Sequence, residues 1–292
     1  MSEPSTKILD HIVHLTPPGT VELASQQFRD LGFNVTPGGT HTGGLTANAL
    51  VILADGSYLE LISFTHPASH YPPTSPDRQK RDSNPWSYKH PGWIDYAFLG
   101  SSDPDVSIAR IINERADLDR SGAAYDPEVD GGRVREDGKT LKWMITAPHE
   151  ERKRGTLPFF CGDVTPRKWR VPIDPPSNSK HPSGVLGISH VRILTMAESL
   201  DAQSSQLTSV VGDPPVEHSS SGYTWSLETP HSGLGVLRPR LILSAPVDED
   251  EEAYLAGRGP GVYEVAFWVE PGGKEGTSAT PYGKIVWQVK TT

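Results

Sequence analysis

The chain has 292 residues, of which 35% are hydrophobic and 22% are charged, and its formal net charge is -9 at pH 7. This length allows one large domain or two to three small modules. The acidic balance argues against partners such as nucleic acid or an anionic membrane, which attract clustered Lys and Arg. The single cysteine, Cys161, excludes an intrachain disulfide, and no apolar run is long enough to span a membrane. We therefore expect a cytoplasmic protein.

The first part of the chain predicts a strand, a helix and a hairpin in that order. Residues 8–16 form an apolar, strand-like run, and residues 21–31 carry apolar side chains at helical spacing. The apolar runs at 46–53 and 57–64 are separated by Asp55-Gly56, which is a strong hairpin signal. This segment therefore reads as a βαβββ module.

Two later segments repeat this order. One opens with strand-like residues 93–98 and continues into a helix whose buried face contains Ile108, Ile111 and Ile112. Between the first two modules, residues 65–91 are rich in Pro, His and Ser and predict a long loop. The third segment opens at Gly187, after residues 172–186, which hold four prolines. Its later strand-like runs lie at 222–228, 236–244 and 262–269.

The repeated order predicts an α+β fold in which helices cover one face of curved, mixed or antiparallel sheets. We divide the chain into a first domain at 7–172, a Pro-rich linker at 173–186 and a third βαβββ-like module at 187–292. The first domain contains two βαβββ modules, at 7–65 and 92–172.

A His and a Glu recur in the same order in two of the modules. His11 lies in the first strand of the chain and Glu60 in the last strand of the same module, and His190 and Glu264 occupy similar places later on. Imidazole and carboxylate groups are suitable ligands for Zn²⁺, Ni²⁺, Mn²⁺ or Fe²⁺. A metal held between two copies of one module would produce this pattern.

Several motifs of the first module occur together and in order. They are Asp10-His11, Leu31-Gly32-Phe33, Gly38-Gly39-Thr40-His41, Thr46-Ala47-Asn48 and Tyr58-Leu59-Glu60-Leu61, and Pro158-Phe159-Phe160 follows in the second module. Together they resemble the glyoxalase-like proteins of the vicinal oxygen chelate superfamily, which includes glyoxalases, bleomycin resistance proteins and extradiol dioxygenases. The resemblance covers residues 8–172 and is weaker over 187–270.

The resemblance implies paired modules whose sheets wrap into a cup around a substrate pocket. Carried onto this chain, the metal ligands of such proteins would be His11, Glu60, His190 and Glu264. The second module has Trp93 and Phe160 near the places where ligands are expected, and neither side chain can bind a metal. The metal is therefore shared by modules one and three, or the site is partial, or there is no metal. The sequence also leaves open whether modules pair within the chain or across a homodimer.

Among the candidate site residues, Glu60 is the first choice for moving a proton, because a carboxylate on an apolar strand needs a reason to be there. Glu264 is the second choice. His41 lies in a Gly-rich loop that could close on a substrate, and we predict a catalytic role for it. The substrate pocket is predicted to contain Asn48, Tyr58, Trp93, Asp95 and Phe160.

These observations predict a metal-assisted lyase or isomerase that acts on a carbonyl-containing, enolisable metabolite. The first alternative is a metal-free protein that binds or sequesters a small molecule, which the aromatic residues of the second module favour. The second alternative is an Fe²⁺-dependent dioxygenase of the extradiol type, for which His11, His190 and one Glu could supply the ligands.

Overall fold

Two curved sheets, one from each half of the chain, organise the fold. The computed structural model describes residues 3–103, 105–135, 137–150, 153–231 and 238–290. The N-terminal sheet is eight-stranded and has the order β2-β3-β4-β1-β5-β8-β7-β6. Its strands are β1 (Leu9–Thr16), β2 (Thr36–Thr40), β3 (Thr46–Ile52), β4 (Tyr58–Phe64), β5 (Gly92–Leu99), β6 (Val129–Val134), β7 (Thr140–Thr146) and β8 (Phe159–Asp163). Its helices are α1 (Val21–Asp30), α2 (Pro76–Asp82), α3 (Ile108–Asp119) and α4 (Arg167–Arg170).

The N-terminal sheet is a duplicated unit that curls towards closure. Strand β1 pairs in parallel with β4, β5 pairs in parallel with β8, and the two units meet where β1 and β5 pair antiparallel. At the far edges, an isolated bridge joins His41 to Arg133 and brings the ends of the sheet together. The first two modules therefore pair within the chain, and the predicted α+β fold with curved sheets around a pocket is confirmed.

The C-terminal sheet is seven-stranded and has the order β10-β11-β12-β9-β13-β15-β14. Its elements are β9 (Val185–Leu194), α5 (Leu200–Val211), β10 (Glu217–Ser219), β11 (Gly222–Ser226), β12 (Arg240–Ser244), α6 (Glu249–Arg258), β13 (Gly261–Val269), β14 (Gly276–Thr280) and β15 (Gly283–Val289). The start of the strand-like run predicted at 236–244 lies outside the described residues.

The sequence predicted one βαβββ-like module at 187–292. The structure has one complete βαβββ module there and a second one that lacks its helix and one strand. Strands β9 to β12 with α5 form the complete module, and β13 to β15 repeat its strand pairing. The connection at 270–275 is too short to hold a helix, because even one helical turn takes about 3.6 residues and both ends need connecting residues.

The core lies between the convex faces of the sheets and the helices. On α1, Ala24 and Phe28 are buried, and on α3 the predicted face of Ile108, Ile111 and Ile112 is buried as well. Each such aliphatic or aromatic side chain stabilises the fold by roughly 1.5–3 kcal/mol relative to exposure. Within the described ranges, none of the helices has the length and apolar character needed to cross a membrane.

The Pro-rich segment at 173–186 is docked onto the first module. A 3₁₀ helix forms at Pro176–Ser179. The backbone N–H of Asn34 donates to Nδ1 of His181 at 2.9 Å, and Nε2 of the same ring lies 3.0 Å from the carbonyl oxygen of Ile52. The segment that joins the two sheets is therefore part of the packed structure.

Another buried histidine joins the two sheets directly. Nε2 of His14, on β1, lies 3.1 Å from Oγ1 of Thr280 at the end of β14, and the ring packs edge-on against Phe28 and Trp93. His14 is completely buried, and this burial lowers its pKa from 6.5 to about 3. The junction between the sheets thus requires a neutral imidazole.

We expect acid to weaken the fold through His14. Between about pH 6.5 and pH 3 the unfolded chain binds a proton at this residue that the folded chain does not bind, so the free energy of unfolding falls as the pH falls. The loss is up to ~1.4 kcal/mol per pH unit for one such group. Urea unfolding near pH 7 and near pH 5 should show a drop that is ~2 kcal/mol smaller in His14→Gln than in the wild type. The exposed-site variant His218→Gln should keep the wild-type drop, and equal drops in all three proteins would contradict this role of His14.

Candidate active site

The concave face of the N-terminal sheet encloses a cavity of about 270 Å³. At about 30 Å³ per water molecule, this is the volume of roughly nine waters, which is enough for a small monocyclic compound. Most of the wall is apolar or aromatic, and it includes Leu45, Leu50, Trp86, Trp143, Ile145 and Phe159. The segment 65–91, predicted as a loop, contains α2 and closes one side of the cavity with Lys80, Asn84 and Trp86.

Glu60 points into this cavity because of the alternation of side chains along β4. Tyr58 and Glu60 line the cavity, whereas Leu59 and Leu61 belong to the core behind the sheet. Only 6% of Glu60 is exposed. The side-chain amide of Asn48, on the neighbouring strand β3, donates to Oε1 of Glu60 at 2.6 Å. One carboxylate oxygen is therefore fixed, and the other is available to a bound molecule.

His41 approaches the same carboxylate from the Gly-rich loop. Its Nε2 lies 3.6 Å from Oε1 of Glu60, and its Nδ1 lies 2.8 Å from Oγ1 of Thr46. Burial lowers the pKa of His41, although the charge of Glu60 acts in the opposite direction. Because the ring is held neutral, it contributes hydrogen bonding to the site and not a fixed charge.

His11 faces Glu60 from the adjacent strand. Its Nδ1 lies 2.7 Å from Oδ2 of Asp10, and its Nε2 lies 3.9 Å from Oε2 of Glu60. The second distance is too long for a hydrogen bond, so neither atom uses the other as a partner and both can bond to a molecule in the cavity. Tyr58 stacks on the His11 ring at a centroid distance of 4.6 Å, and Phe159 meets it edge-on at 5.2 Å.

The carboxylate that holds His11 is itself fixed by two arginines from α4. Asp10 is fully buried, and it forms ion pairs with Arg167 and Arg170. Burial alone would raise its pKa, but the two guanidinium groups and His11 hold it well below the usual range. Because Asp10 is ionised and can only accept, the hydrogen of its bond with His11 lies on Nδ1, and His11 presents Nε2 to the cavity.

Tyr58 completes the polar floor of the cavity. Its hydroxyl accepts a hydrogen bond of 2.7 Å from Nη1 of Arg170. Burial raises the pKa of Tyr58 well above its usual range, although the charge of Arg170 works against this. The phenol therefore stays protonated and can donate a hydrogen bond to an oxygen of a bound molecule.

The structure brings together five of the residues predicted from the sequence: His11, His41, Asn48, Tyr58 and Glu60 all line the cavity. The other three pocket residues lie elsewhere. Trp93 packs against His14 and donates to the carbonyl oxygen of Lys284, on the side that faces the C-terminal sheet. Asp95 is buried behind the cavity wall, where it accepts hydrogen bonds from Trp86 and Arg154.

Phe160 points away from the cavity, because side chains alternate between the two faces of β8. It packs against Phe98 and Tyr125 in the core, whereas its neighbours Phe159 and Cys161 face the cavity. The pairing of β5 with β8 places Phe159 opposite Ala97, and the pairing of β1 with β4 places Glu60 opposite Val13. The second module therefore presents the phenyl ring of Phe159 to the cavity, and the first presents the carboxylate of Glu60.

The second His–Glu pair lies on the other sheet. Nε2 of His190, on β9, lies 2.9 Å from Oε1 of Glu264, on β13, and Oε2 of Glu264 lies 2.7 Å from Nζ of Lys284. Burial would raise the pKa of Glu264, but the bonds with His190 and Lys284 lower it to about 2. The four predicted metal ligands are thus divided between two sheets, and the structure does not bring them together.

The donor atoms that line the cavity do not fit a metal site shared by two modules. From the second module, β8 offers the phenyl ring of Phe159 and the thiol of Cys161, whose pKa is raised by burial. Among the residues that the structure describes, no group of three or more His, Cys, Asp and Glu side chains is placed to hold a metal ion. We therefore derive the chemistry of the cavity from its own side chains.

Two arginines that line the cavity were not predicted from the sequence. Arg170 lies in the four-residue helix α4, after the last strand of the second module, and Arg133 lies on β6, where the two edges of the sheet meet. Both line the cavity, but neither belongs to a periodic pattern or to a motif that the sequence analysis recognised. Asp10 was visible as the neighbour of His11, although its partners were not.

Comparisons with known proteins agree with this architecture. A family model described as a glyoxalase-like domain matches residues 9–210. A hypothetical protein from Staphylococcus aureus has a similar structure, with a TM-score of 0.65 at 10% identity over 97% of this chain and 99% of the other. A variant of 4-hydroxymandelate synthase from Streptomyces coelicolor gives a TM-score of 0.50 at 15% identity over 92% of this chain and 72% of the other. No curated protein matches the sequence.

The matched model covers more than half of the chain, so the protein belongs to the glyoxalase-like domain family. The structural neighbours are less than 25% identical and show the fold alone.

Gly38, on β2, is packed so closely against Asn48 that a larger residue does not fit without a shift. A Cβ atom added to Gly38 would lie 2.1 Å from Oδ1 of Asn48 and 2.5 Å from its backbone oxygen. We expect Gly38→Ala to displace Asn48 and to lower the free energy of unfolding by ~1–3 kcal/mol, as overpacking does. In the matched control Gly257→Ala, on α6, the new Cβ would meet nothing within 4 Å, and helix propensity predicts a stabilisation of ~0.5–1 kcal/mol. Urea unfolding of both variants measures the difference, and a Gly38→Ala protein as stable as the wild type would contradict the geometry.

Proposed function

We propose that the protein is an enzyme of the lyase or isomerase type that moves a proton on a small, enolisable carbonyl compound. The observation that supports this most strongly is the pair of atoms that face each other across 3.9 Å, Oε2 of Glu60 and Nε2 of His11. The remaining polar atoms of both groups are held, by Asn48 and by Asp10, so both reactive atoms have fixed directions.

In the proposed reaction Glu60 is the base. A substrate C–H bond breaks next to the carbonyl group, the proton forms an O–H bond with Oε2 of Glu60, and the electron pair moves towards the carbonyl oxygen. Glu60 then returns the proton to an adjacent atom of the substrate, so that the carboxylate ends as it began. The position of Glu60 supports this step, because the buried carboxylate faces a largely apolar cavity whose walls limit the access of water.

The oxygen that gains negative charge needs a hydrogen-bond donor in a fixed position. Tyr58 supports this role, because its hydroxyl is protonated and is already polarised by the hydrogen bond from Arg170. Nε2 of His11 can accept a hydrogen bond from a neighbouring hydroxyl group of the substrate. We assign Asn48 and His41 as positioning residues, since both contact Oε1 of Glu60 and neither is needed to accept the proton.

A second candidate function is the binding of a small molecule without a reaction. The aromatic walls formed by Trp86, Trp143 and Phe159 support it, because such surfaces hold planar ligands well. The two candidates differ in one observable: only the enzyme exchanges a carbon-bound proton of its ligand with solvent.

We expect Glu60→Gln to abolish such exchange. Incubation in D₂O with a panel of enolisable ketones and aldehydes, including hydroxyacetone and phenylpyruvate, is followed by ¹H NMR. Removal of the general base should slow deuterium incorporation by ~10²- to 10⁴-fold. The matched control is Glu264→Gln, which alters the second His–Glu pair on the C-terminal sheet and should leave the exchange rate unchanged.

Two results would count against this proposal. Exchange by Glu60→Gln at the wild-type rate would remove Glu60 from the reaction. Wild-type protein that binds members of the panel and exchanges none of them would favour the binding function.

A further inference from the structure

Arg133 is a buried cation in the wall of the cavity. It lies on β6, where the isolated bridge to His41 joins the two edges of the N-terminal sheet. Only 4% of the residue is exposed, and it lines the cavity together with Glu60 and Tyr58. The guanidinium group passes over Gly39, whose missing side chain leaves room for it: a Cβ at Gly39 would lie 3.2 Å from Nη1 of Arg133.

Nη1 of Arg133 has no hydrogen-bond partner. It is buried, and none of the carboxylates in the described part of the chain lies within ion-pair distance of the guanidinium group. The other cavity arginine is different, because Arg170 forms ion pairs with Asp10 and Asp163 and donates to Tyr58. Burial lowers the pKa of Arg133, and the charge of Glu60 acts against this only from a longer distance. Buried charges are normally paired directly, so Arg133 indicates that an anionic group completes the site.

Asn48 carries a second polar atom without a partner. Its Oδ1 is buried and unbonded, while its amide nitrogen holds Glu60. Asn48 pairs with Gly39 across β2 and β3, and its Oδ1 atom lies against the backbone of Gly38. A ligand in the cavity can therefore pair its anion with Arg133, while Asn48 acts through its amide nitrogen on Glu60.

We propose that Arg133 binds the carboxylate group of the substrate, and that the substrates are therefore small carboxylic acids with an aromatic or branched apolar body. The planar guanidinium matches a carboxylate with two parallel hydrogen bonds. The apolar body lies against the rings of Trp143 and Phe159 and the side chain of Ile145. This inference rests on the proposed function only in placing the ligand in the same cavity.

Binding of matched acids and amides tests the proposal without requiring turnover. Isothermal titration calorimetry is carried out with phenylacetate and phenylacetamide, with benzoate and benzamide, and with 4-methylvalerate and 4-methylvaleramide. In each pair the two compounds share their shape and differ in charge. We expect the wild type to bind at least one acid about 10- to 100-fold more tightly than its amide, as a charge-assisted hydrogen bond predicts.

Substitutions of Arg133 test whether this residue causes the preference for the acid. Arg133→Met should lose the preference for the acid and leave the affinity for the amide nearly unchanged, and Arg133→Lys should keep part of it. The control Arg135→Met removes a charge two positions along, at a residue that pairs with Asp137 and does not line this cavity, and should keep the wild-type preference. If Arg133→Met fails to fold, the acid-to-amide ratios of the wild type and of Arg133→Lys decide the question.

The proposal is overturned if no acid in the series binds, if acids and amides bind equally, or if Arg133→Met keeps the preference. The Glu60→Gln protein separates this inference from the proposed reaction. It should still bind the acid, because Arg133 is intact, while its exchange of carbon-bound protons is lost. A wild type that prefers acids and catalyses no exchange would support the binding site and contradict the reaction.

Discussion

The ion pair between Asp10 and the arginines of α4 is the contact on which the rest of the site depends. Asp10 is completely buried on β1, and Arg170 connects it to Tyr58 on β4 and to Asp163 at the end of β8. Three strands therefore meet at one guanidinium group of α4. Breaking a buried pair of this kind by removing one partner costs about 3–5 kcal/mol, because the other charge is left without compensation.

The same ion pair determines the chemistry of the cavity. Since Asp10 remains ionised, it fixes the hydrogen of His11 on Nδ1 and directs Nε2 towards Glu60. The Nη1 atom of Arg170 that donates to Asp10 also donates to the hydroxyl of Tyr58 and polarises it. The ion pair of Asp10 with the arginines of α4 thus both stabilises the fold and orients the candidate catalytic groups.

The duplicated modules have divided their roles. The first module supplies His11, Tyr58 and Glu60, which can bind or move a proton, while the second supplies Phe159 and Trp143, which provide apolar walls. The symmetry of the sheet is preserved in its strand pairing and lost in its side chains. This arrangement separates the reacting groups from the surface that holds the body of the ligand.

Local signals carried much of the fold prediction. The Asp55-Gly56 turn and the helical spacing of Ala24 and Phe28 depend on residues close in sequence, and the structure confirms both elements. His11 and Glu60 were found because a motif named them, and the parallel pairing of β1 with β4 then brings them together. The choice between Phe159 and Phe160 failed because two adjacent aromatic residues give the same pattern for either strand face.

Long-range contacts account for what the sequence did not reveal. Arg133 lies 73 residues after Glu60 and Arg170 lies 160 residues after Asp10, and no spacing rule connects them. The four metal ligands were predicted from a His–Glu pair that occurs twice, but the two pairs lie on different sheets. A recurring residue pair in a duplicated fold identifies equivalent positions, which are not always neighbouring ones.

We propose that the side chains of the first module carry out the proton transfer without a metal ion. Untagged protein dialysed against a chelator tests this when its metal content and its rate of deuterium incorporation into an accepted substrate are measured in the same sample. We expect a full rate per mole of protein at a metal content far below one equivalent. A rate that falls with the metal content and returns when one equivalent of Zn²⁺, Ni²⁺, Mn²⁺ or Fe²⁺ is added would show that the proton transfer needs a metal ion.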